Sequence, residues 1–185
     1  LLTIAMVCAP SWPQTMVAVG GDRLSGFVLP VEPQDGNISI RALRAYAWTV
    51  DDTKRLVLDG DVHLAVGDYR FDGNSAVVWI NRIPSADGLI NQIAAYFDDL
   101  ATPLSRAGLG AGGRRLLLTA SARGEVDLQV ARLDRRAAPK SSMLTRAERR
   151  LASYLEQLVV NPPSLREIPA IEGPEPETPF RPEPG

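Results

Sequence analysis

The sequence predicts a mainly β protein that ends in one amphipathic helix and a proline-rich tail. Two long stretches alternate between apolar and polar residues, as strands require, and one later stretch places its apolar residues at helical spacing. The chain has 185 residues, of which 45% are hydrophobic and 23% charged. This ordinary composition excludes collagen-like, wholly disordered and polytopic membrane proteins and leaves room for one or two small domains.

The chain begins with an uncharged apolar run, residues 1–9, followed by Pro10-Ser-Trp-Pro13. The run has the length of the apolar part of a secretory signal peptide and is too short to span a bilayer as a helix. We therefore interpret residues 1–19 as a truncated signal peptide or N-terminal segment, and a buried strand is the alternative. A signal peptide would place the mature protein outside the cytoplasm.

Residues 56–66 and 116–130 show the clearest period-two alternation in the chain. In both stretches the even positions are apolar or glycine, whereas most of the odd positions in between are polar or charged. A strand sends successive side chains to opposite faces, so each stretch predicts a half-buried strand or hairpin with one apolar face.

The residues around these two stretches predict further strands. Residues 76–80 are apolar on both faces and indicate a central strand, and residues 37–48 alternate with a phase slip that indicates a bend. Residues 89–100 fit both a helix and a strand; we favour a strand because the stretch is short and lies among strands. The β region is assigned to residues 20–140.

Residues 141–160 are assigned to the helix. Thr145 is expected to cap it with Glu148 three residues on, and Asn161-Pro162-Pro163 ends it. Residues 161–185 hold eight of the chain's 15 prolines together with several glutamates, a composition typical of a linker or disordered tail. The apolar face of the helix comprises Ala147, Leu151, Tyr154, Leu155 and Leu158.

The charged residues are divided unevenly along the chain. Residues 106–150 hold eleven Lys and Arg against four Asp and Glu, although the whole chain has a net charge of −2. A basic segment of this kind favours an anionic partner. Nucleic acid is not expected, because no recognition-helix, zinc or base-stacking pattern accompanies the charge.

The chain has one cysteine, Cys8, and one histidine, His63. An intrachain disulfide and a Cys/His metal cluster are excluded by this count, and no nucleophile motif stands beside His63. We therefore expect no enzyme activity, no catalytic residues, no metal and no cofactor.

Residues 59–66 (Asp-Gly-Asp-Val-His-Leu-Ala-Val) align with residues 123–130 (Arg-Gly-Glu-Val-Asp-Leu-Gln-Val), which indicates a repeated strand unit. With residues 72–79, this pattern resembles the OstA-like lipopolysaccharide-transport family. The resemblance implies an elongated β-jellyroll of two facing antiparallel sheets in the periplasm of a Gram-negative-type bacterium. It also implies edge-to-edge pairing with other jellyroll proteins and an apolar groove that holds acyl chains.

The sequence thus predicts a non-catalytic module that binds or transports lipopolysaccharide, or a similar amphipathic glycolipid, in outer-membrane biogenesis. The alternative is an envelope scaffold or adaptor that binds protein partners through its sheet edges. Arg114 and Arg115 are the candidate contacts for an anionic headgroup. The candidate acyl-chain contacts are Leu56, Leu58, Val62, Leu64, Val66, Leu118, Val126, Leu128 and Val130.

Overall fold

Six strands and one C-terminal helix make up the computed structural model, which describes residues 24, 27–85, 88–101 and 115–160. The predicted N-terminal segment, Arg114 and the proline-rich tail lie outside the described residues. The elements are β1 (Ile38–Val50), β2 (Thr53–Val66), β3 (Tyr69–Ser85), β4 (Gly88–Phe97), β5 (Leu116–Ala122), β6 (Val126–Asp134) and α1 (Ser142–Val160).

All six strands belong to one mixed sheet with the order β5-β4-β3-β2-β1-β6. Neighbouring strands from β1 to β5 are antiparallel, whereas β6 pairs with β1 in the parallel direction. The expectation of purely antiparallel pairing is therefore wrong at β6. The two separate facing sheets that were expected are not confirmed, because the described strands form one continuous hydrogen-bonded sheet.

A line of irregular pairing crosses the middle of the sheet. The register of β2 shifts between Asp59 and Val62 against β3 and between Asp59 and His63 against β1. The backbone at Gly60 and Asp61 has φ values of 74° and 50°. Bulges of this kind bend strands and increase their twist. On β1 the shift lies between Arg41 and Arg44, within the stretch whose phase slip predicted a bend.

Strands β5 and β6 follow each other across a three-residue bend, residues 123–125. Strand β5 pairs with β4, and near its end Ala122 also forms a parallel bridge with Gln34, just ahead of β1. The Gly124 amide then donates to the Gly36 carbonyl at 3.0 Å, and the chain continues into β6 beside β1. The sheet therefore returns on itself around Ala122, which explains why β6 runs parallel to β1.

Each face of the sheet has its own apolar cluster. The cluster on the inner face of the bend, which we call the concave cluster, takes its buried strand residues from β1 to β5, and residues of β6 pack against it. Its members include Leu58, Val62 and Ile93, each fully buried. None of its members comes from α1. Since no helix of the described residues covers this face, its burial indicates that the bent sheet packs two parts of its own concave face against each other.

The convex cluster lies on the other face and joins α1 to the sheet. Leu144, Ala147, Leu151 and Leu155 of α1 are buried in it, together with Trp79 of β3 and other strand residues. The predicted helix face is therefore confirmed at its centre. In the part of the chain that the structure describes, no helix is long and apolar enough to cross a membrane.

The helix begins earlier than its predicted cap. The Ser141 hydroxyl accepts a hydrogen bond from the Leu144 amide at 3.1 Å, so Ser141 is the N-cap and Thr145 lies within the first turn. The cap prediction at Thr145 is wrong because a second hydroxyl stands close upstream. Residues 89–100, where a strand was favoured, lie largely in β4.

We predict that Gly124→Ala destabilises the protein where the sheet returns on itself. A Cβ atom on Gly124 would lie 2.2 Å from the Gly36 carbonyl oxygen and 2.4 Å from Asn37 Oδ1. Relieving this overlap should lower the free energy of unfolding by about 1–3 kcal/mol. Urea denaturation measures the change, with Ala131→Val on the exposed surface of β6 as the control. Equal stability of the two variants would contradict the close approach.

Candidate functional site

An apolar groove opens between two parts of the concave face. Its volume is about 450 Å³, and Val66 and Phe71 on one side face Leu116, Leu118 and Ala120 of β5 on the other. We call these five residues and the space between them the apolar groove. The volume is within the range of small-molecule sites, which are typically lined by apolar side chains. Val31, Glu32, Gln34, Tyr69, Leu117 and Thr119 complete the lining.

The alternation of β5 determines which side chains enter the groove. Leu116, Leu118 and Ala120 belong to the concave cluster, whereas Leu117 packs in the convex cluster with α1. Thr119 lies on the same side as Leu117, with its hydroxyl 3.4 Å from that of Tyr154 in α1. Leu116, Leu118 and Ala120 thus share the concave face, whereas Leu117 and Thr119, which also border the groove, lie on the side that faces the helix.

All nine predicted acyl-chain contacts lie in the concave cluster or pack against it, but only Val66 and Leu118 line the apolar groove. The other predicted residues of β2 are at most 1% exposed and form the closed part of the cluster. The predicted residues of β6 are partly buried, and β6 lies at the opposite end of the strand order from β5. The closed residues are Leu56, Leu58, Val62 and Leu64, and the β6 residues are Val126, Leu128 and Val130.

Sequence reasoning missed three groove residues. Leu116 and Ala120 share the alternation of Leu118, so that pattern could have identified them. Phe71 had no comparable signal, since its position beside β5 depends on the bend in the sheet.

The predicted headgroup contact Arg115 precedes Leu116 but is not among the residues that line the apolar groove. Its Nε is 3.0 Å from Asp98 Oδ1, and Arg146 of α1 donates to Asp98 Oδ2 at 2.7 Å. Asp98 therefore links Arg115 to the helix side of the sheet and compensates part of its charge. The neighbouring Arg114 lies outside the described residues.

His63 lies on the outer surface of β2 between two carboxylates. Its Nδ1 is 2.5 Å from Asp72 Oδ1 on β3, and its Nε2 is 3.2 Å from Asp61 Oδ1 in the bulge. The hydrogen bond to Asp72 is the main cause that raises the pKa of His63 above its usual 6.5. Among the described residues, no group of three or more His, Cys, Asp or Glu side chains could hold a metal ion.

We predict that His63 stabilises the fold in acid and loses this effect in base. Because its pKa in the folded state is raised above 6.5, the stabilisation is complete below pH 6.5 and is lost as the pH rises through the folded-state value. His63→Gln should lower the free energy of unfolding by up to about 1 kcal/mol at low pH, since the pair is solvent-exposed. Urea denaturation across the pH range measures the difference, and an imidazole NMR titration with a pKa of 6.5 or lower would contradict the account.

Comparison with known proteins does not assign these residues to a family. No protein-family model matches the chain, and neither a curated protein nor a solved structure matches it. The resemblance to the OstA-like family therefore stays a prediction.

Proposed function

We propose that this protein is a non-catalytic periplasmic module that holds the acyl chains of lipopolysaccharide, or of a similar amphipathic glycolipid, during outer-membrane biogenesis. The observation that carries the proposal is the apolar groove, where core side chains of the concave face line a solvent-accessible opening. A sealed core would offer no such place for a ligand.

The chemistry of the groove suits an acyl chain. Leu116, Leu118, Val66 and Phe71 offer aliphatic and aromatic carbon, and each methylene that leaves water contributes roughly 0.8 kcal/mol. Glu32 is the charged residue among those that line this opening in the described part of the chain. An anionic headgroup would not be attracted to Glu32, so the groove favours the apolar part of an amphiphile.

The bend of the sheet also supports the proposal. Two parts of one concave face pack against each other, and a jellyroll of the OstA-like kind needs such facing apolar surfaces. We propose that the bent sheet is one jellyroll unit. The Gly-acidic-Val copies of the sequence occur at both bends, Gly60-Asp61-Val62 at the bulge of β2 and Gly124-Glu125-Val126 between β5 and β6.

We predict that a photoreactive amino acid at Leu116 or Tyr69 forms adducts with lipopolysaccharide. Tyr69 is 53% exposed and lines the groove, so a probe there is within reach of an acyl chain bound in it. Leu89 serves as the control, because it is an apolar residue of β4 that is 58% exposed and does not line the groove. Purified lipopolysaccharide is the probe, and mass spectrometry of the irradiated protein is the measurement.

Adducts at Leu116 and Tyr69 but not at Leu89 would support acyl binding in the groove. Equal yields at all three positions would indicate non-specific adsorption to exposed apolar residues. That outcome, or adducts at Leu89 alone, would overturn the proposal.

The second candidate function is the envelope adaptor, and the position of β6 favours it. One edge of β6 pairs with β1, and no described strand pairs with its other edge. An unpaired edge can accept a strand from another chain, including another jellyroll protein.

The substitution Arg132→Pro tests the adaptor function. The residue is exposed on β6, and proline removes one amide donor from the strand. Strand addition between copies of this chain predicts self-association of the wild type in sedimentation equilibrium and less association of Arg132→Pro, with lipid adducts unchanged. A wild type that remains monomeric at every concentration would contradict pairing of this kind.

A further inference from the structure

The concave cluster has a second opening, on the β6 side of the sheet. A hollow of about 260 Å³ lies there, and Ala47 and Leu128, which pack against the concave cluster, form part of its wall. Leu133, which is 40% exposed, adds further apolar surface. We call this hollow the cationic opening because its charged lining residues are Lys54 and Arg135.

The register of the sheet places both cations at the rim of the concave face. Lys54 lies directly across from Ile80, a member of the concave cluster, so the two side chains share that face. Arg135 follows the last residue of β6 and lines the same hollow. Both residues are exposed, so their charged ends can meet a ligand from solvent.

The cationic opening has two charges that the described residues leave uncompensated. No carboxylate is among its lining residues, and no ion pair of Lys54 or Arg135 occurs in the described part of the chain. The neighbouring carboxylate of Asp134 is engaged elsewhere, with its Oδ2 3.9 Å from Arg44 Nε and 3.6 Å from Arg132 Nε.

From this arrangement we infer that the cationic opening binds the phosphate of an anionic lipid headgroup, with the adjoining carbons of the lipid against Leu128 and Leu133. Arginine presents a planar fork that suits phosphate oxygens, and lysine adds a compact positive charge. This inference rests on the proposed lipid-binding function and relocates the headgroup contact from Arg114 and Arg115 to Lys54 and Arg135.

The apolar groove and the cationic opening differ in charge. Glu32 lines the apolar groove, whereas Lys54 and Arg135 line the cationic opening. An anionic amphiphile is therefore attracted to the β6 side, where phosphate and carbon chain both find a matching surface. A zwitterionic amphiphile has no net charge for this opening to attract.

The test compares the binding of the full chain to phosphatidylglycerol vesicles and to phosphatidylcholine vesicles by co-sedimentation. The double variant Lys54→Gln/Arg135→Gln removes the two cations, and Arg149→Gln/Arg150→Gln removes two exposed cations from α1 as a control of equal charge. We expect the first variant to weaken binding to phosphatidylglycerol by about tenfold or more, because charge-assisted hydrogen bonds are lost. The control should change it by less than about threefold, as expected for long-range charge alone.

The co-sedimentation results distinguish a lipid headgroup site from a site for free anions and from attraction by charge alone. Equal weakening by the two variants, or no preference of the wild type for phosphatidylglycerol, would overturn the inference. Inorganic phosphate that displaces the vesicles completely would identify a site for free anions and would also overturn a lipid headgroup as the ligand. Little displacement, with selective loss in Lys54→Gln/Arg135→Gln, would support it.

Photocrosslinking from Leu116 in the same variants separates the inference from the function on which it rests. If lipopolysaccharide adducts at Leu116 persist while the vesicle preference is unaffected by Lys54→Gln/Arg135→Gln, only the headgroup site is wrong. If adducts at Leu116 are absent from the wild type, the proposed acyl binding is itself wrong. Circular dichroism of each variant verifies that a lost signal does not come from unfolding.

Discussion

The packing of the concave face against itself is the constraint on which the rest of the structure depends. The bulge at Gly60 and Asp61 gives β2 one more residue than its neighbours need, and the register shifts on both sides at the same level. The sheet therefore bends instead of remaining flat, and the burial of Leu58, Val62 and Ile93 follows from the bend. A flat sheet of the same sequence would leave this apolar face in water.

The other features of the fold complete or limit this packing. The close approach of Gly124 to Gly36 brings the two ends of the sheet together, and α1 covers the convex face so that both sides of the central strands are buried. The bend does not close the apolar layer at its margins. Among the described residues, the layer meets solvent at the apolar groove beside β5 and at the cationic opening beside β6, among other places.

Much of this architecture could be predicted from alternation, because the period of two reports directly on which face of a strand is apolar. The concave face of β2, the partly buried residues of β6 and the buried face of α1 were all assigned correctly to apolar surfaces. Alternation does not report which parts of one apolar face meet. It could not show that Leu56 and Leu64 are closed off while Leu116 and Phe71 line an opening.

The positions of charged contact residues were harder to predict from the sequence than the positions of apolar surface. The basic segment pointed to Arg115, yet Asp98 binds this side chain on the side of the sheet that faces α1. Lys54 is distant in sequence from the basic segment, and the pairing of β2 with β1 and of β1 with β6 brings it to the same rim as Arg135. Local charge density in sequence is thus a poor guide wherever strands distant in sequence share an edge.

The central claim is that the apolar layer inside the bent sheet is open to acyl chains at its margin. Methyl NMR with a spin-labelled fatty acid tests it directly, because the label broadens signals of nearby methyl groups. We expect stronger broadening at Leu116, Leu118 and Val66 than at the α1 methyls of Leu151 and Leu155, which lie on the other face of the sheet. Broadening confined to α1 and to exposed leucines, with the groove methyls unchanged, would contradict the account.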